Sequence, residues 1–217
     1  MEIEETPKNG ISQKDIEMLS FIHDRGINPR TNEIYLMPNE TYISVHEDAE
    51  AGVEYSMASN FIKNLNFLES LNNNPIHIHM KSCGGDWTEG MAIYDAIKRC
   101  KNETTITSYT HARSMTSIIF LAADRRIMMP NSTYMFHGGT IFTGGTVKQF
   151  ETEYIEHVKS MKIMMDIYIN HLKKHGKFKK CSVKTIREWL EKEMNDKEEV
   201  YLSAVEALEI GFTDEIA

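Results

Sequence analysis

Between residues 76 and 136 the chain alternates short strand-like and helix-like stretches, and this rhythm constrains the fold more than any other feature. In IHIHM (76–80), Ile76, Ile78 and Met80 fall on one face and His77 and His79 on the other, the period of a strand. SCGG breaks it. TEGMAIYDAIKRC (88–100) then has helical spacing, with Thr88 as the expected N-cap. TTITSYT (104–110) is strand-like again, and SMTSIIFLAA (114–123) reads as an apolar helix. IMM (127–129) and TYMF (133–136) are two further strands around the turn Pro130-Asn131. Strand, helix, strand, helix, strand in close succession calls for βαβ crossovers, so the expected core is a mostly parallel sheet in an α/β fold.

The flanking segments complete the outline. Residues 1–30 read as a polar leader around one amphipathic piece, DIEMLSFI, closed by Asn28-Pro29. IYLM (34–37) and YISV (42–45) are expected as short strands around Pro38-Asn39, followed by the acidic loop HEDAEAG. From Tyr55 to Leu71 the apolar positions 57, 61, 65 and 68 have helical spacing. After TYMF comes a glycine-rich loop, HGGTIFTGGT (137–146), and then a long helix from Val147 to about His175, ended by Gly176. At 1.5 Å per residue it would span roughly 40 Å, more than a small domain is wide. Its main apolar stripe runs from Val147 through Phe150, Tyr154 and Val158 to Leu172, while Ile155, Ile163 and Ile167 lie off it. A helix apolar on more than one side is expected to meet another subunit as well as its own core. Helices at 182–194 and 203–211 close the chain, giving a leader (1–32) and one domain (33–217).

Composition removes several classes of function. A chain of 217 residues buries enough surface to need no disulfide or metal staple. Its net charge of −8 argues against nucleic acid and against an anionic membrane surface as partners. The three cysteines, Cys83, Cys100 and Cys181, form no CxxC pair and suggest neither a disulfide framework nor a zinc ribbon. The acidic start MEIEETPKNG does not read as a signal peptide, and the longest uncharged stretch, Ile127–Val147, contains Pro130 and four glycines. A cytoplasmic location is the expectation.

Three places carry residues suited to chemistry. Ser114, in HARSMTS, lies between a strand and an apolar helix, where helix amides can stabilise an oxyanion; its plain structural role would be an N-cap. Gly84-Gly85, between a strand and a helix, lets backbone approach a ligand, or simply makes a tight turn. His137 ends a strand beside the glycine-rich loop, where it is either a general base or a surface histidine. Other groupings rank lower. His77 and His79 share a strand face but have only Cys83 as a nearby third ligand for a metal. His171 and His175, in HLKKH, lack the glutamate of a zincin and read as a solvated helix end. KKHGKFKK (173–180) reads as an exposed basic turn, and TGGTVK lacks the GK[ST] of a phosphate loop.

Three strings, SCGGDWTEGMAIYDAI, ARSMTSIIFLAADRRIMMPNSTYMFHGG and YLSAVEALEIGFTDEI, together resemble the proteolytic subunit of the Clp protease, a serine peptidase family, over roughly residues 33–217. The resemblance implies a crotonase-like α/β fold of stacked ββα and βαβ units with a protruding long handle helix at about 147–175. It implies Ser114 as nucleophile, His137 as base, and the backbone amides of Gly84 and Met115 as oxyanion hole. The family's third residue matches Glu199, where aspartate is usual, with Asp196 and Glu198 as rivals. Cys83, Arg113 and Thr116 also depart from the pattern, standing in place of a proline, a small residue and a glycine. The resemblance further implies seven-membered rings stacked in pairs through the long helix, unfolded protein as substrate, and a hexameric AAA+ Clp ATPase chaperone as partner. No cofactor would be bound by this chain; ATP would belong to the partner. Two alternatives stand beside this reading: an inactive ring subunit of the same fold, and an acyl-CoA enzyme of the crotonase kind.

Overall fold

A computed structural model describes residues 12–37 and 52–217. Helix α1 (Gln13–Arg25) starts at Ser12, which exchanges capping hydrogen bonds with Asp15, and ends at Gly26 in the left-handed region. Strand β1 (Ile27–Asn28) pairs antiparallel with β2 (Glu33–Leu36), so residues 12–32 of the expected leader carry a helix and a sheet strand. The expected strand 42–45 and its turn lie outside the described residues, as does nearly all of the acidic loop. Helix α2 (Tyr55–Leu71) has the expected bounds and buries Met57, Phe61, Leu65 and Leu68, the four positions its spacing marks.

Strand β3 (Ile76–Ser82) buries Ile76, Ile78 and Met80 as its alternation requires. Helix α3 (Trp87–Arg99) is capped by Asp86, whose carboxylate accepts from the Glu89 amide at 2.9 Å. Thr88, the expected cap, lies inside the helix. A carboxylate at this end also meets the positive end of the helix dipole, which a threonine hydroxyl would not. Strand β4 (Thr104–Arg113) runs past the expected Thr110. Helix α4 (Met115–Phe120) is correspondingly shorter than its apolar run and gives way to turns before β5 (Arg125–Met128). Strand β6 (Thr133–His137) follows, then the loop 138–146, helix α5 (Val147–Leu172), a single 3-10 turn at Gly176–Phe178, helix α6 (Val183–Lys197), strand β7 (Glu199–Ser203), helix α7 (Ala204–Ile210) and strand β8 (Glu215–Ile216).

The sheet runs in the order β1-β2-β3-β4-β5-β8, parallel from β2 onward. Strand β4 is the hinge of this topology. Its first half pairs with β3 and β5 over Thr104–Ser108. Between the pairs Met80↔Ser108 and Ser82↔Ala112 the register shifts, and Tyr109 and Thr110 stand exposed in the bulge. Beyond it, His111, Ala112 and Arg113 pair with β6 instead. Strand β6 pairs antiparallel with β7 on its other edge, a pairing the sequence reading did not anticipate because EVYLS borders an acidic helix end.

Behind this corner lies an aromatic cluster. Phe136, Tyr168, Phe212 and Tyr134 are fully buried, with Tyr134 stacked on Phe212 at 4.4 Å and Phe136 tilted against Tyr168 at 5.8 Å. The C-terminal half of α5 contributes Met164, Met165, Tyr168, Ile169 and Leu172 to the same core. Its N-terminal half buries nothing: Phe150, Tyr154, Ile155 and Val158 are all about half exposed. Among the described residues no helix is long and apolar enough to cross a membrane. Because Phe212 touches Tyr134, Phe136 and Tyr168 at once, Phe212→Ala should destabilise the fold by about 3–5 kcal/mol, read as a lower urea midpoint.

Candidate active site

The turn between β4 and α4 holds Ser114 at φ 49° and ψ −124°. A residue with a Cβ is rarely found there, and such a conformation costs on the order of 1–3 kcal/mol. Several bonds hold it. The Ser114 amide donates to the Met135 carbonyl of β6 at 2.9 Å. The Ser114 carbonyl accepts from the Ser117 hydroxyl at 2.6 Å, and Ser117 Oγ also meets Tyr168 Oη at 2.8 Å. Thr116, fully buried, lies within 2.9 Å of the Ser82 carbonyl and 2.8 Å of the Arg113 carbonyl, tying the end of β3 to the end of β4. Thr116 therefore braces the turn from below and does not line the cavity in front of it. Ser114 makes no side-chain cap bond to α4.

The Ser114 hydroxyl instead meets His137. Its Oγ lies 2.7 Å from His137 Nε2, across a partner switch that sets the end of β4 beside the end of β6. Burial pushes the His137 pKa below its ordinary value, against the opposing pull of Glu199 and then Glu198. A neutral imidazole can take the serine proton, so this pair has the composition and reach of a nucleophile and its base.

Of the three acids considered, Glu199 is the register partner of His137 in the antiparallel β6–β7 pair, which puts both side chains on one face. Its carboxylate accepts from Tyr201 Oη at 2.8 Å, and among the described residues no hydrogen bond joins it to the His137 ring. Glu198 closes α6 at φ 60° and, with Glu199, lines a hollow of about 370 Å³ beside His137. Asp196 lies outside that hollow and pairs with Lys192 at 2.5 Å.

The Gly84 backbone packs directly on the serine turn. A Cβ built there would sit 2.7 Å from Ser114 Cβ and 3.2 Å from the Met115 nitrogen. Its φ of 117° gives a second reason for glycine. The two amides of interest are thus neighbours, although the Gly84 amide makes a long, 3.4 Å bond to Ser82 Oγ. Met115, at the first position of α4, has no intrahelical acceptor for its N–H. Gly85 answers to packing: a Cβ there would fall 2.2 Å from the Val53 carbonyl oxygen. In front of Ser114 opens a cavity of about 440 Å³. Met115, Ile118, Met161 and Met164 give it apolar walls, and His157 and Ser160 of α5 add polar ones. Sequence spacing puts Met161 on the apolar stripe but does not mark His157, Ser160 or Met164, whose side of the helix is chosen by docking against α4.

The lower-ranked groupings lie elsewhere. His77 and His79 stack at 4.4 Å and meet Thr107 and Tyr109 of β4, each at 2.8 Å. His171 corrects the reading of a solvated helix end: it is buried, its Nε2 lies 2.8 Å from the Gly211 carbonyl, and burial pushes its pKa down to about 3. The neutral ring therefore joins α5 to the end of α7. Thr146 of TGGTVK caps α5 in a reciprocal pair with Gln149.

Known proteins resemble this chain in sequence and in fold. The chain is 30% identical over 168 residues to the ATP-dependent Clp protease proteolytic subunit of Deinococcus radiodurans, covering 76% of each chain. It is 31% identical over 169 residues to the protein of the same name from Streptococcus pneumoniae, covering 76% of this chain and 80% of that one. A solved structure of a ClpP1 mutant from Listeria monocytogenes superposes with a TM-score of 0.68 at 23% identity, over 87% of this chain and 92% of the other. That likeness establishes the crotonase-like fold with its long helix. The family model described as Clp protease matches residues 36–217, and over that span this chain belongs to the Clp protease family.

Proposed function

We propose that this chain is a serine endopeptidase, the proteolytic subunit of a Clp-type protease acting on unfolded protein. The observation that carries the proposal is the 2.7 Å contact between Ser114 Oγ and His137 Nε2 at a turn of positive φ. His137 takes the hydroxyl proton as Ser114 attacks the peptide carbonyl. The amides of Met115 and Gly84 receive the oxyanion, with Gly84 turning from Ser82 Oγ to do so. The protonated His137 gives its proton to the leaving amine, and water then releases the acyl-enzyme. Glu199, opposite His137 in the sheet, stabilises the imidazolium that forms. The apolar cavity beside Ser114 takes a large apolar side chain of the substrate.

The exposed half of α5 argues for assembly. Phe150, Tyr154, Ile155 and Val158 on one half, with Ile163 further along, would stay wet in a lone chain. Burying them between copies, as two stacked seven-membered rings would do, encloses the sites in a chamber. An ATPase of the Clp type would then supply unfolded chains.

An inactive ring subunit is the second reading, favoured by the missing hydrogen bond between Glu199 and His137. Fluorophosphonate separates the two: it should label Ser114 in the active protein and leave the chain unlabelled in the inactive one. Ser114→Ala and His137→Ala should each abolish peptide cleavage, with the double variant little worse than either. Full activity in Ser114→Ala would sink the assignment.

The acid limb of the rate profile gives an independent check. His137 works as a base only when neutral, and burial lowers its pKa. Activity should therefore persist below the ordinary histidine value of about 6.5 and fall only as pH drops through the lowered pKa. Assembly is tested by Ile163→Asp. An unpaired charge in a desolvated interface costs about 3–5 kcal/mol, so sedimentation should show smaller species than the wild type. A wild type that sediments as a monomer at micromolar concentration would refute the stacked chamber.

A further inference from the structure

The sheet corner that brings Ser114 to His137 also lines up a second row of side chains. Strands β4, β6 and β7 place Arg113, Met135 and Tyr201 in register, and one step along place His137 opposite Glu199. Residues two apart share a face, so Arg113, Tyr201, Glu199 and His137 all stand on the same side of this corner. Their contacts form a chain. Arg113 donates to Thr133 Oγ1 from Nε at 3.3 Å and from Nη2 at 3.2 Å, and its guanidinium lies 5.3 Å from the centroid of the Tyr201 ring. Tyr201 Oη donates to Glu199 Oε2 at 2.8 Å. Glutamate reaches further than aspartate and has one more rotatable bond, so an acid at this position needs an anchor to face one imidazole.

We propose that Tyr201, steadied by Arg113, is a positioning residue for the reaction: it anchors one carboxylate oxygen of Glu199 and so keeps the other on the His137 side. This rests on the reading of Ser114 and His137 as the working pair. Arg113, a departure from the family pattern beside the nucleophile, thereby has a role that does not involve touching substrate. A guanidinium suits it because it is planar, stacks on an aromatic face and still donates in its own plane. Lysine could not do both.

The electrostatics of the corner agree. Tyr201 has a raised pKa, first because its hydroxyl is bonded to Glu199. Glu199 and Glu198 pull the His137 pKa upward against burial. The other ionisable groups lining the two hollows that His137 borders are Glu191 of α6, His157 and Tyr168 of α5, and Asp86, the cap of α3. None of them belongs to the chain through Arg113 and Tyr201.

The test uses the assembled full-length protein, with His137 titrated by NMR and kcat, KM and the acid limb measured on a fluorogenic peptide. Tyr201→Phe keeps the ring and removes only the anchor. It should move the His137 titration and the acid limb together to lower pH, because a loosened Glu199 supports the imidazolium less. It should lower kcat about fivefold, the scale of one exposed hydrogen bond, with KM unchanged. Arg113→Lys should shift both in the same direction, and Tyr201→Phe should add nothing to Glu199→Gln. A Tyr201→Phe protein with wild-type His137 titration and kcat overturns the proposal. Faster turnover, or a His137 titration moved upward, also overturns it, since Tyr201 would then be withholding Glu199. A wild type that cleaves nothing and takes no fluorophosphonate, yet shows the downward His137 shift in Tyr201→Phe, would refute the peptidase reading and leave the positioning role standing.

Discussion

The hydrogen bond from the Ser114 amide to the Met135 carbonyl, 2.9 Å long, is the contact on which this architecture depends. It is the last link of the β4–β6 pairing, and it forms only because β4 leaves β5 halfway along its length. A straight β4 would keep β5 beside it and would not carry Ser114 to the His137 end of β6. The bulge at Tyr109 and Thr110 turns the strand, β6 takes over the pairing, and the ends of two strands from different parts of the sheet meet. The unfavourable backbone of Ser114 persists because Thr116, Ser117 and Tyr168 over-determine it from below.

Electrostatics divides the same corner into two sides. One side of His137 faces Ser114 and a largely apolar cavity, where burial favours the neutral ring. The other side faces Glu191, Glu198 and Glu199. A ring held neutral at rest and surrounded by carboxylates on its far side is suited to gaining and losing a proton in one catalytic cycle. The geometry puts Glu199 within electrostatic reach of that ring through strand register, with its hydrogen bond directed to Tyr201.

Helix α5 links the chemistry to assembly. Its last turns are core, and its first turns stand clear of it with apolar side chains exposed. Met161 and Met164 on its middle line the cavity in front of Ser114, so one rigid element connects the exposed apolar half, the cavity wall and the loop that leaves His137.

The local elements were legible from the chain because each answers to a nearest-neighbour rule. Alternation marked β3, 3.6-residue spacing marked α2 with its true bounds, and the apolar content on two sides of α5 marked it as more than a core helix. Ser114 and His137 stood out at strand ends, but only motif resemblance chose nucleophile over N-cap and base over surface histidine, and it alone brought in Glu199. What the sequence could not supply was anything decided by partners distant along the chain. Asp86 displaces Thr88 as cap because a carboxylate serves the helix end better, a preference that is local and needs no distant partner. The burial of His171 against Gly211, the extension of β4 to Arg113, the pairing of β7 with β6 and the Arg113–Tyr201–Glu199 chain are different in kind. Each needs backbone from separated segments to arrive at the same place, and only the packing of the whole core against the sheet determines which strands become neighbours.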